Sequence, residues 1–265
     1  MKKKIAVLLS GLARCEEENF KFLKNLFKDY DFKILPLIWK NQKNLDSFKR
    51  IYFLEDIKEI EQNNWSYEIS KIKYVFGEEN RSYKLENIFH MWHSFSEGCK
   101  EIKNFSFKNK PDFVLRFRSD ILPKYNETFI NCELKKKQVL IPDRYHWNGI
   151  NDQLFLFSFS DLEDFISIND YIINYQKKNL LFSSELIFQR FLKEKKIKIK
   201  FNKYNYNLMR KENKNNNSLK DKINVRLGLY DRITIKLNKF MFRLRNFNDF
   251  YLKKNMRNNQ QDIII

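Results

Sequence analysis

The amino-acid sequence predicts an α/β fold in which a mixed central sheet is flanked by helices and followed by a basic helical C-terminal extension. In the first half, short apolar runs alternate with segments whose apolar residues recur at helical spacing, the rhythm of strand–helix–strand units. Further apolar runs recur in the second half, together with three more helical patterns. A lysine- and asparagine-rich run then precedes a long apolar stripe with helical spacing.

The first half supplies two predicted strand–helix pairs, each beginning with a short run of apolar residues. In order, they are a strand at 4–10, a turn at Gly11, a helix at 15–27, a strand at 32–38 and a helix at 45–52. The polar segment that follows, 55–84, is only weakly patterned. We therefore expect the sheet to begin with residues 4–10 and 32–38.

The second half continues with a helix, which ends before the break Pro111-Asp112, and then with further strands. The elements predicted there are a helix at 86–103, strands at 113–119, 138–142 and 153–158, helices at 161–177 and 183–195, and a strand at 196–201. Their order completes one α/β domain, which we place at residues 1–210.

Residues 211–222, KENKNNNSLKDK, form the best candidate for a linker, and residues 223–265 for a helical extension. Between Lys222 and Arg257 there are ten basic and two acidic residues, with an apolar stripe on the opposite side. Such a segment is suited to an anionic membrane surface. A helix that packs its stripe on the main domain and leaves its lysines in water is the alternative.

The formal net charge of +18 predicts attraction to phosphate, on nucleic acid, lipid or a nucleotide, without choosing among them. Three widely spaced cysteines without a CxxC pattern support neither a disulfide framework nor a zinc site. The apolar run after the first lysines is too short for a signal peptide, and no apolar stretch approaches the ~20 residues that a membrane-spanning helix needs. We expect a cytoplasmic protein, with peripheral contact at the inner face of the plasma membrane.

The turn after the first strand is the first candidate binding element. Ser10, Gly11 and Arg14 stand where the strand ends and a helix begins, the position at which open α/β sheets bind ligands. Glycine allows close backbone approach, and an arginine can bind a phosphate with two hydrogen bonds. Neither dinucleotide nor P-loop glycine patterns are present. A simple strand-to-helix turn with a solvated arginine is the alternative.

The strand end LRFRSD is the second candidate. Alternation puts Arg116, Arg118 and Asp120 on one face and two apolar residues on the other. Charged groups on an apolar strand are costly unless they are paired or bind a ligand. A phosphate site with an acid for a divalent cation or a sugar hydroxyl explains them, and an internal arginine–aspartate cluster is the alternative.

The loop WNGINDQ before the strand at 153–158 is the third candidate. Asn151, Asp152 and Gln153 can bind a polyhydroxylated ligand or place an acid near a reacting hydroxyl, and Trp147 can supply a stacking face. An ordinary loop with Asx turns is the alternative. Glu185, in the first turn of a helix, complements the helix dipole or contacts a ligand.

These pieces together resemble bacterial GT-A-like glycosyltransferases of surface-polysaccharide loci, which make capsule or lipooligosaccharide. The resemblance rests on the SGxxR turn, the helix ENIFHMWHSFSEGCKEI leading into FVLRFRSD, the segment from IP to NGINDQLFLFS, and the later SSELIFQRFL and YNLMR. It covers roughly residues 1–210. It implies a GT-A-like, Rossmann-like domain that takes a nucleotide-sugar donor and a saccharide or lipid-linked acceptor.

The resemblance also implies roles for the candidate residues. The catalytic acids would be Asp152 and Asp120, and Asp120 would hold Mg²⁺ or Mn²⁺. The donor would be bound by Ser10, Gly11, Arg14, Arg116, Arg118 and Arg210, and the acceptor by Trp147, Asn151, Gln153 and Glu185. The family's Asp-x-Asp motif reads Arg118-Ser119-Asp120 here, so only its last acid is present and the arginines are candidates to neutralise the diphosphate.

The expected function is therefore sugar transfer in surface-polysaccharide synthesis, with no nucleic acid as partner. Two alternatives stay open at this point. A nucleic-acid-binding protein would use the basic tail and the abundant aromatic residues for phosphate contact and stacking. An inactive transferase-like scaffold would keep the fold and bind no nucleotide sugar.

Overall fold

The computed structural model describes residues 2–13, 20, 23, 30–72, 85–104, 110–119, 121–123, 133–143, 149–177, 182–202, 204 and 206–208. The predicted linker and C-terminal extension lie outside the described residues. The predicted helix at 15–27 also falls almost entirely outside them; Phe20 and Leu23, which are described, are helical.

A mixed sheet is the centre of the described part of the chain. Its strands are β1 (Lys4–Gly11), β2 (Asp31–Trp39), β3 (Lys58–Ile60), β4 (Phe113–Phe117), β6 (Gln138–Pro142), β7 (Leu154–Ser158) and β8 (Lys198–Asn202). A separate small sheet pairs β5 (Ile121–Pro123) with β9 (Tyr206–Leu208) in antiparallel fashion. The predicted fold class, a mixed central sheet flanked by helices, is confirmed.

The strand order in the large sheet is β3-β2-β1-β4-β7-β6-β8. Strand β7 runs antiparallel to both of its neighbours, whereas the other pairings are parallel. The start of β7 therefore lies at the same edge of the sheet as the carboxyl ends of β1 and β4. This edge is where open α/β sheets bind their ligands.

The described helices longer than one 3₁₀ turn are α1 (Leu45–Tyr52), α2 (Ser66–Ser70), α3 (Leu85–Asn104), α4 (Leu162–Ile166), α5 (Ile168–Lys177) and α6 (Ser184–Glu194). Helix α1 buries Phe48 and Tyr52 on one face of the sheet, in the apolar cluster that also contains Val7 and Leu115. Helix α3 packs on β1 and β2 and contacts α4 and α5. Within the described residues, no helix is both long and apolar enough to cross a membrane.

Two segments differ from the sequence prediction. The helix predicted at 161–177 is interrupted at Ser167, whose hydroxyl donates to the carbonyl oxygen of Asp164 at 2.7 Å. Such a local hydrogen bond competes with the helix ladder and favours a break. The weakly patterned segment 55–84 contains β3 and α2, which are three and five residues long. Elements this short are set by tertiary contacts rather than by periodicity.

Close packing between α3 and β1 depends on Gly98. A Cβ atom added at this position would collide with the side chain of Leu8, which is 1% exposed and would have to shift within the core. Glycine in the middle of a helix costs about 1 kcal/mol relative to alanine. Its presence therefore indicates that the approach of the helix to the sheet outweighs helix propensity.

We expect Gly98→Ala to lower the free energy of unfolding by up to about 2 kcal/mol, because overpacking costs about 1–3 kcal/mol and alanine recovers about 1 kcal/mol of helix propensity. Urea denaturation of the full chain measures this. Lys100→Ala changes an exposed position of the same helix and is expected to stay within about 0.5 kcal/mol of wild type. A Gly98→Ala variant at least as stable as wild type would contradict the packing account.

Candidate functional site

The candidate site lies at the edge where β1 and β4 end and β7 begins. The ladder aligns Leu8 of β1 with Arg116 of β4, and Arg116 with Phe155 of β7. Beyond the strands, the hydroxyl of Ser119 donates to the carbonyl oxygen of Leu12 at 2.9 Å, which joins the loops after β1 and β4. Residues far apart in the sequence are thereby brought to one edge.

The first turn has the open backbone that the sequence predicts. Gly11 has a φ of 105°, a conformation that strongly favours glycine, and a Cβ at this position would meet only the ring of Trp39, at 3.9 Å, among the described residues. The Asn44 side-chain amide donates to the carbonyl oxygen of Ala13 at 2.5 Å and links this turn to the residue before α1. Ser10 is half-buried, and Arg14 lies outside the described residues.

Arg116 is buried in an aromatic layer rather than at the surface. Its side chain is 1% exposed, and its Cζ lies 4.6 Å from the ring centroid of Trp92, 4.8 Å from Phe95 and 5.7 Å from Phe155. Such cation–π contacts compensate part of the cost of burying a charge. Burial lowers the pKa of Arg116 to about 10, against which the charge of Asp152 raises it. The guanidinium therefore stays charged at neutral pH.

Asp152 is the carboxyl group whose charge acts on this buried arginine. It is 3% exposed and accepts a hydrogen bond from the hydroxyl of Ser184, the first residue of α6. The same hydroxyl accepts from Nε1 of Trp92 at 3.0 Å. Asp152 is thus held from α6 and α3 while it interacts electrostatically with Arg116 of β4.

The residues on either side of Asp152 have structural partners. Asn151 donates through Nδ2 to the hydroxyl of Tyr206 at 2.6 Å, and that hydroxyl donates to Oε1 of Gln153 at 2.9 Å. The backbone N–H of Gln153 donates to Oδ1 of Asn151 at 2.9 Å. All three side chains are buried. The triangle ties the loop before β7 to the small sheet and holds the backbone that carries Asp152.

Glu185 lies beside Asp152 in the first turn of α6. Burial raises its pKa, as does the charge of Asp152, to about 7, although its own backbone N–H and the charge of Arg118 favour ionisation. The N–H of Ile150 donates to the carbonyl oxygen of Glu185 at 3.1 Å. A Cβ on Gly149 would collide with the backbone of Glu185 and Leu186, so glycine allows this close approach.

The arrangement combines the buried carboxyl of Asp152, the carboxyl of Glu185, whose pKa is about 7, and two arginines. Arg118 follows β4 and is half-buried. A carboxyl with a pKa near the working pH can exchange a proton with a hydroxyl group, and arginines can stabilise negative charge on a leaving group. The alternative of an internal arginine–aspartate cluster involved Asp120, which lies outside the described residues; Arg116 interacts electrostatically with Asp152. Charge compensation in the core and groups suited to a ligand therefore occur at the same edge. The buried residues Arg116 and Asp152 lie next to Glu185 and Arg118, which are half-buried.

The sequence-predicted residues divide into three groups. The structure brings Arg116, Arg118, Asp152 and Glu185 together, while Ser10 and Gly11 end the adjacent strand. Asn151 and Gln153 flank the site and are bonded to Tyr206. The predictions for Asp120, Arg14, Trp147 and Arg210 lie outside the described residues. Among the described residues, no group of three or more histidine, cysteine, aspartate or glutamate side chains forms a candidate cation site.

Sequence reasoning missed three contributors, Trp92, Ser184 and Tyr206. Trp92 belongs to the apolar stripe of α3, and Ser184 begins a helix next to the capping residue Ser183, whose hydroxyl accepts from the N–H of Leu186. Both patterns have ordinary structural explanations, so no local signal distinguishes them. Tyr206 lies more than 50 residues from its partners.

No protein-family model and no curated protein sequence matches the chain. In fold it is similar to the glycosyltransferase GlyE of Streptococcus pneumoniae TIGR4, with 16% identity and a TM-score of 0.42 over 76% of this chain and 45% of GlyE. The apo form of GlyE has 14% identity and a TM-score of 0.40 over 73% of this chain and 44% of GlyE. The chain therefore spans less than half the length of these GlyE chains.

A galactosyltransferase, LgtC, in complex with donor and acceptor sugar analogues is also similar, with 10% identity and a TM-score of 0.40 over 69% of each chain. At these identities the likeness concerns the fold alone.

The raised pKa of Glu185 predicts a specific pH dependence of stability. In the folded chain the carboxyl keeps its proton up to about pH 7, whereas the unfolded chain releases it near the ordinary value of 4.5. Folding is therefore favoured while the native carboxyl is protonated, and this advantage is lost as the pH rises through about 7. We expect the free energy of unfolding of wild type, relative to Glu185→Gln, to fall by about 2–3 kcal/mol between pH 4.5 and 8.

Urea denaturation of both proteins at several pH values measures this difference. Burial lowers the pKa of His93, so this residue makes the free energy of unfolding rise with pH below pH 6.5, opposite to the effect of Glu185. The His93 contribution is equal in both proteins and cancels in the difference. Glu163→Gln, at an exposed glutamate, is the matched control and is expected to track wild type. A pH-independent difference between wild type and Glu185→Gln would refute the assignment.

Proposed function

We propose that the chain is a glycosyltransferase, which moves a sugar from a nucleotide-sugar donor to a saccharide or lipid-linked acceptor. The observation that carries this proposal is the meeting of Asp152 and Glu185 with Arg116 and Arg118 at the ligand-binding edge of a mixed α/β sheet. Glycosyl transfer needs a group that takes the acceptor's proton and cations that stabilise the leaving diphosphate. Both kinds of group are present at this edge.

The proposed division of roles follows burial and charge. Gly11 leaves the end of β1 open for close approach of the donor, and Arg118, with Arg14 and Arg210, stabilises the diphosphate. Arg116 is buried beneath the site, so it contributes to donor binding only electrostatically. Its positive charge acts on the donor at a distance and on Asp152. Asp152 contacts a sugar hydroxyl or serves as the base, and Glu185, which titrates near neutral pH, exchanges a proton at the acceptor side.

The acceptor contacts proposed for Trp147, Asn151 and Gln153 complete the site. Asn151 and Gln153 act mainly through the loop that they brace, since their side chains are bonded to Tyr206. A divalent cation, Mg²⁺ or Mn²⁺, would be held by Asp120 and would neutralise the diphosphate. Among the residues that the structure describes, no group of three or more histidine, cysteine, aspartate or glutamate side chains could hold it.

The cellular role that we propose is synthesis of capsule or lipooligosaccharide at the cytoplasmic face of the membrane, with residues 223–265 contacting anionic lipid. Its support is the sequence resemblance together with the basic, apolar-striped composition of that segment. The nucleic-acid alternative depends on the same segment, and none of the described residues adds an observation in its favour.

The proposal is tested by a thermal-shift screen of the full chain against UDP-, GDP-, CMP- and dTDP-sugars, with and without Mg²⁺ or Mn²⁺. A ligand that binds the native state stabilises it by RT ln(1 + L/Kd), where L is the ligand concentration, so the unfolding temperature rises with the logarithm of ligand concentration once this exceeds the dissociation constant. We expect a selective shift with one nucleotide class and turnover of that donor. With Asp152→Asn, turnover should fall by about 10²- to 10⁴-fold, the range for loss of a positioned acid or base.

Asp161→Asn is the matched control, because Asp161 is equally buried, at 1% exposure, but follows β7 at the opposite edge of the sheet. It accepts the backbone N–H of Lys137 at 2.7 Å, so its loss should affect stability and leave turnover within a few-fold of wild type. No shift with any donor would exclude the donor site. Full turnover by Asp152→Asn would exclude the proposed mechanism.

A further inference from the structure

A chain of hydrogen bonds leads from the protein interior to Asp152. Asp152 and Glu185, which interact electrostatically, are called the carboxyl pair below. Nε1 of Trp92 lies 3.0 Å from the hydroxyl oxygen of Ser184, and that hydroxyl contacts Oδ2 of Asp152. An indole N–H can only donate, so the oxygen of Ser184 is the acceptor in the first bond. The hydrogen of Ser184 is then directed at Asp152. Trp92 is 0% exposed, so water cannot replace this donor in the folded chain.

This chain of hydrogen bonds favours negative charge on Asp152 rather than on Glu185. A hydrogen bond donated to a carboxylate stabilises its ionised form, and so does the nearby guanidinium of Arg116. Glu185 has the opposite surroundings, since burial and the negative charge of Asp152 both favour its neutral form. When two carboxyls interact electrostatically in such unequal surroundings, a single proton is held by the carboxyl whose ionised form is less stabilised.

We propose that Trp92 and Ser184 are positioning residues, which lock Asp152 as the charged member of the carboxyl pair and keep the exchangeable proton on Glu185. The catalytic consequence rests on the proposed function, whereas the placement of the proton does not. Among the described residues, the groups that face Glu185 are Asp152 from the loop before β7 and Arg118 after β4, with Arg116 behind Asp152.

The proposal predicts how the pair titrates. Without the Ser184 hydroxyl, the doubly ionised pair loses a donor, while the singly protonated pair can move its proton to Asp152. The midpoint for loss of the last proton therefore rises. We expect Ser184→Ala to raise it by about 0.5–1 pH unit, a part of what a hydrogen bond to a charged group contributes. Ser184→Thr keeps a hydroxyl and should restore the wild-type midpoint.

The indole N–H of Trp92 is expected to act only through Ser184, although its ring also contacts Arg116, and a double-mutant cycle tests this. Trp92→Phe removes the indole N–H and keeps an aromatic ring, so it should raise the midpoint less than Ser184→Ala does. In the Ser184→Ala background it should add nothing. Trp65→Phe is the matched control, because Trp65 is also a buried tryptophan, whose Nε1 donates to Nδ1 of His90 at 3.2 Å, away from the carboxyl pair.

The experiment is a carboxyl-carbon NMR titration of the full chain, labelled with ¹³C at Asp and Glu, from pH 5 to 9. Glu185→Gln and Asp152→Asn assign the two signals. The same variants are assayed for donor turnover, where we expect Ser184→Ala to lower kcat by about 10-fold or more with little change in KM. Threonine at this position should recover most of kcat.

The two proposals fail in distinguishable ways. Unchanged midpoints in Ser184→Ala would overturn the positioning role even if the wild type transfers sugar. A shifted midpoint in a chain that turns over no donor would support the proton placement and reject the proposed function. A Trp92→Phe effect of equal size in both backgrounds would show that Trp92 acts by packing. Ser184→Ala removes a single oxygen atom, so it keeps the test valid if Trp92→Phe fails to fold.

Discussion

A single buried charge is the constraint on which the candidate site depends. Arg116 stands on a central strand of the sheet and is enclosed by aromatic rings, where an isolated guanidinium would be very costly. Its location requires a nearby negative charge, which Asp152 supplies, and an aromatic layer, which α3 and β7 supply. Removing the carboxylate would leave the buried guanidinium without its charge partner, typically at a cost of several kcal/mol.

The reversal of β7 makes this compensation possible. In an all-parallel sheet, the residue before a strand lies at the edge opposite to the carboxyl ends. Because β7 runs antiparallel, the loop before it reaches the same edge as the ends of β1 and β4. Asp152 can then face the strand of Arg116 and the first turn of α6 together. One change of strand direction thus links the charge buried in the core to the carboxyl that titrates near neutral pH.

Much of the fold could be predicted from periodicity. The strands at 32–38 and 138–142 and the helices at 45–52 and 86–103 agree with the structure to within one residue at each end, because buried faces impose regular spacing. The prediction failed for β3 and α2, which are too short for a periodic pattern, and at Ser167, where a side-chain hydrogen bond divides a continuous helical pattern. Strand β5 was missed for the same reason of length, and its pairing with β9 was not predicted.

The sequence by itself determined the α/β class, the order of the elements and the residue types offered by each loop, since these depend on neighbours along the chain. It also placed Arg116 and Asp152 among the candidates, because charges beside apolar runs are informative alone. Only the tertiary structure decided that Arg116 is buried, that Asn151 and Gln153 are bonded to Tyr206, and that Trp92 reaches Asp152 through Ser184. These relations join residues that are far apart along the chain, and it is the packing of helices on the sheet that brings them within hydrogen-bonding distance.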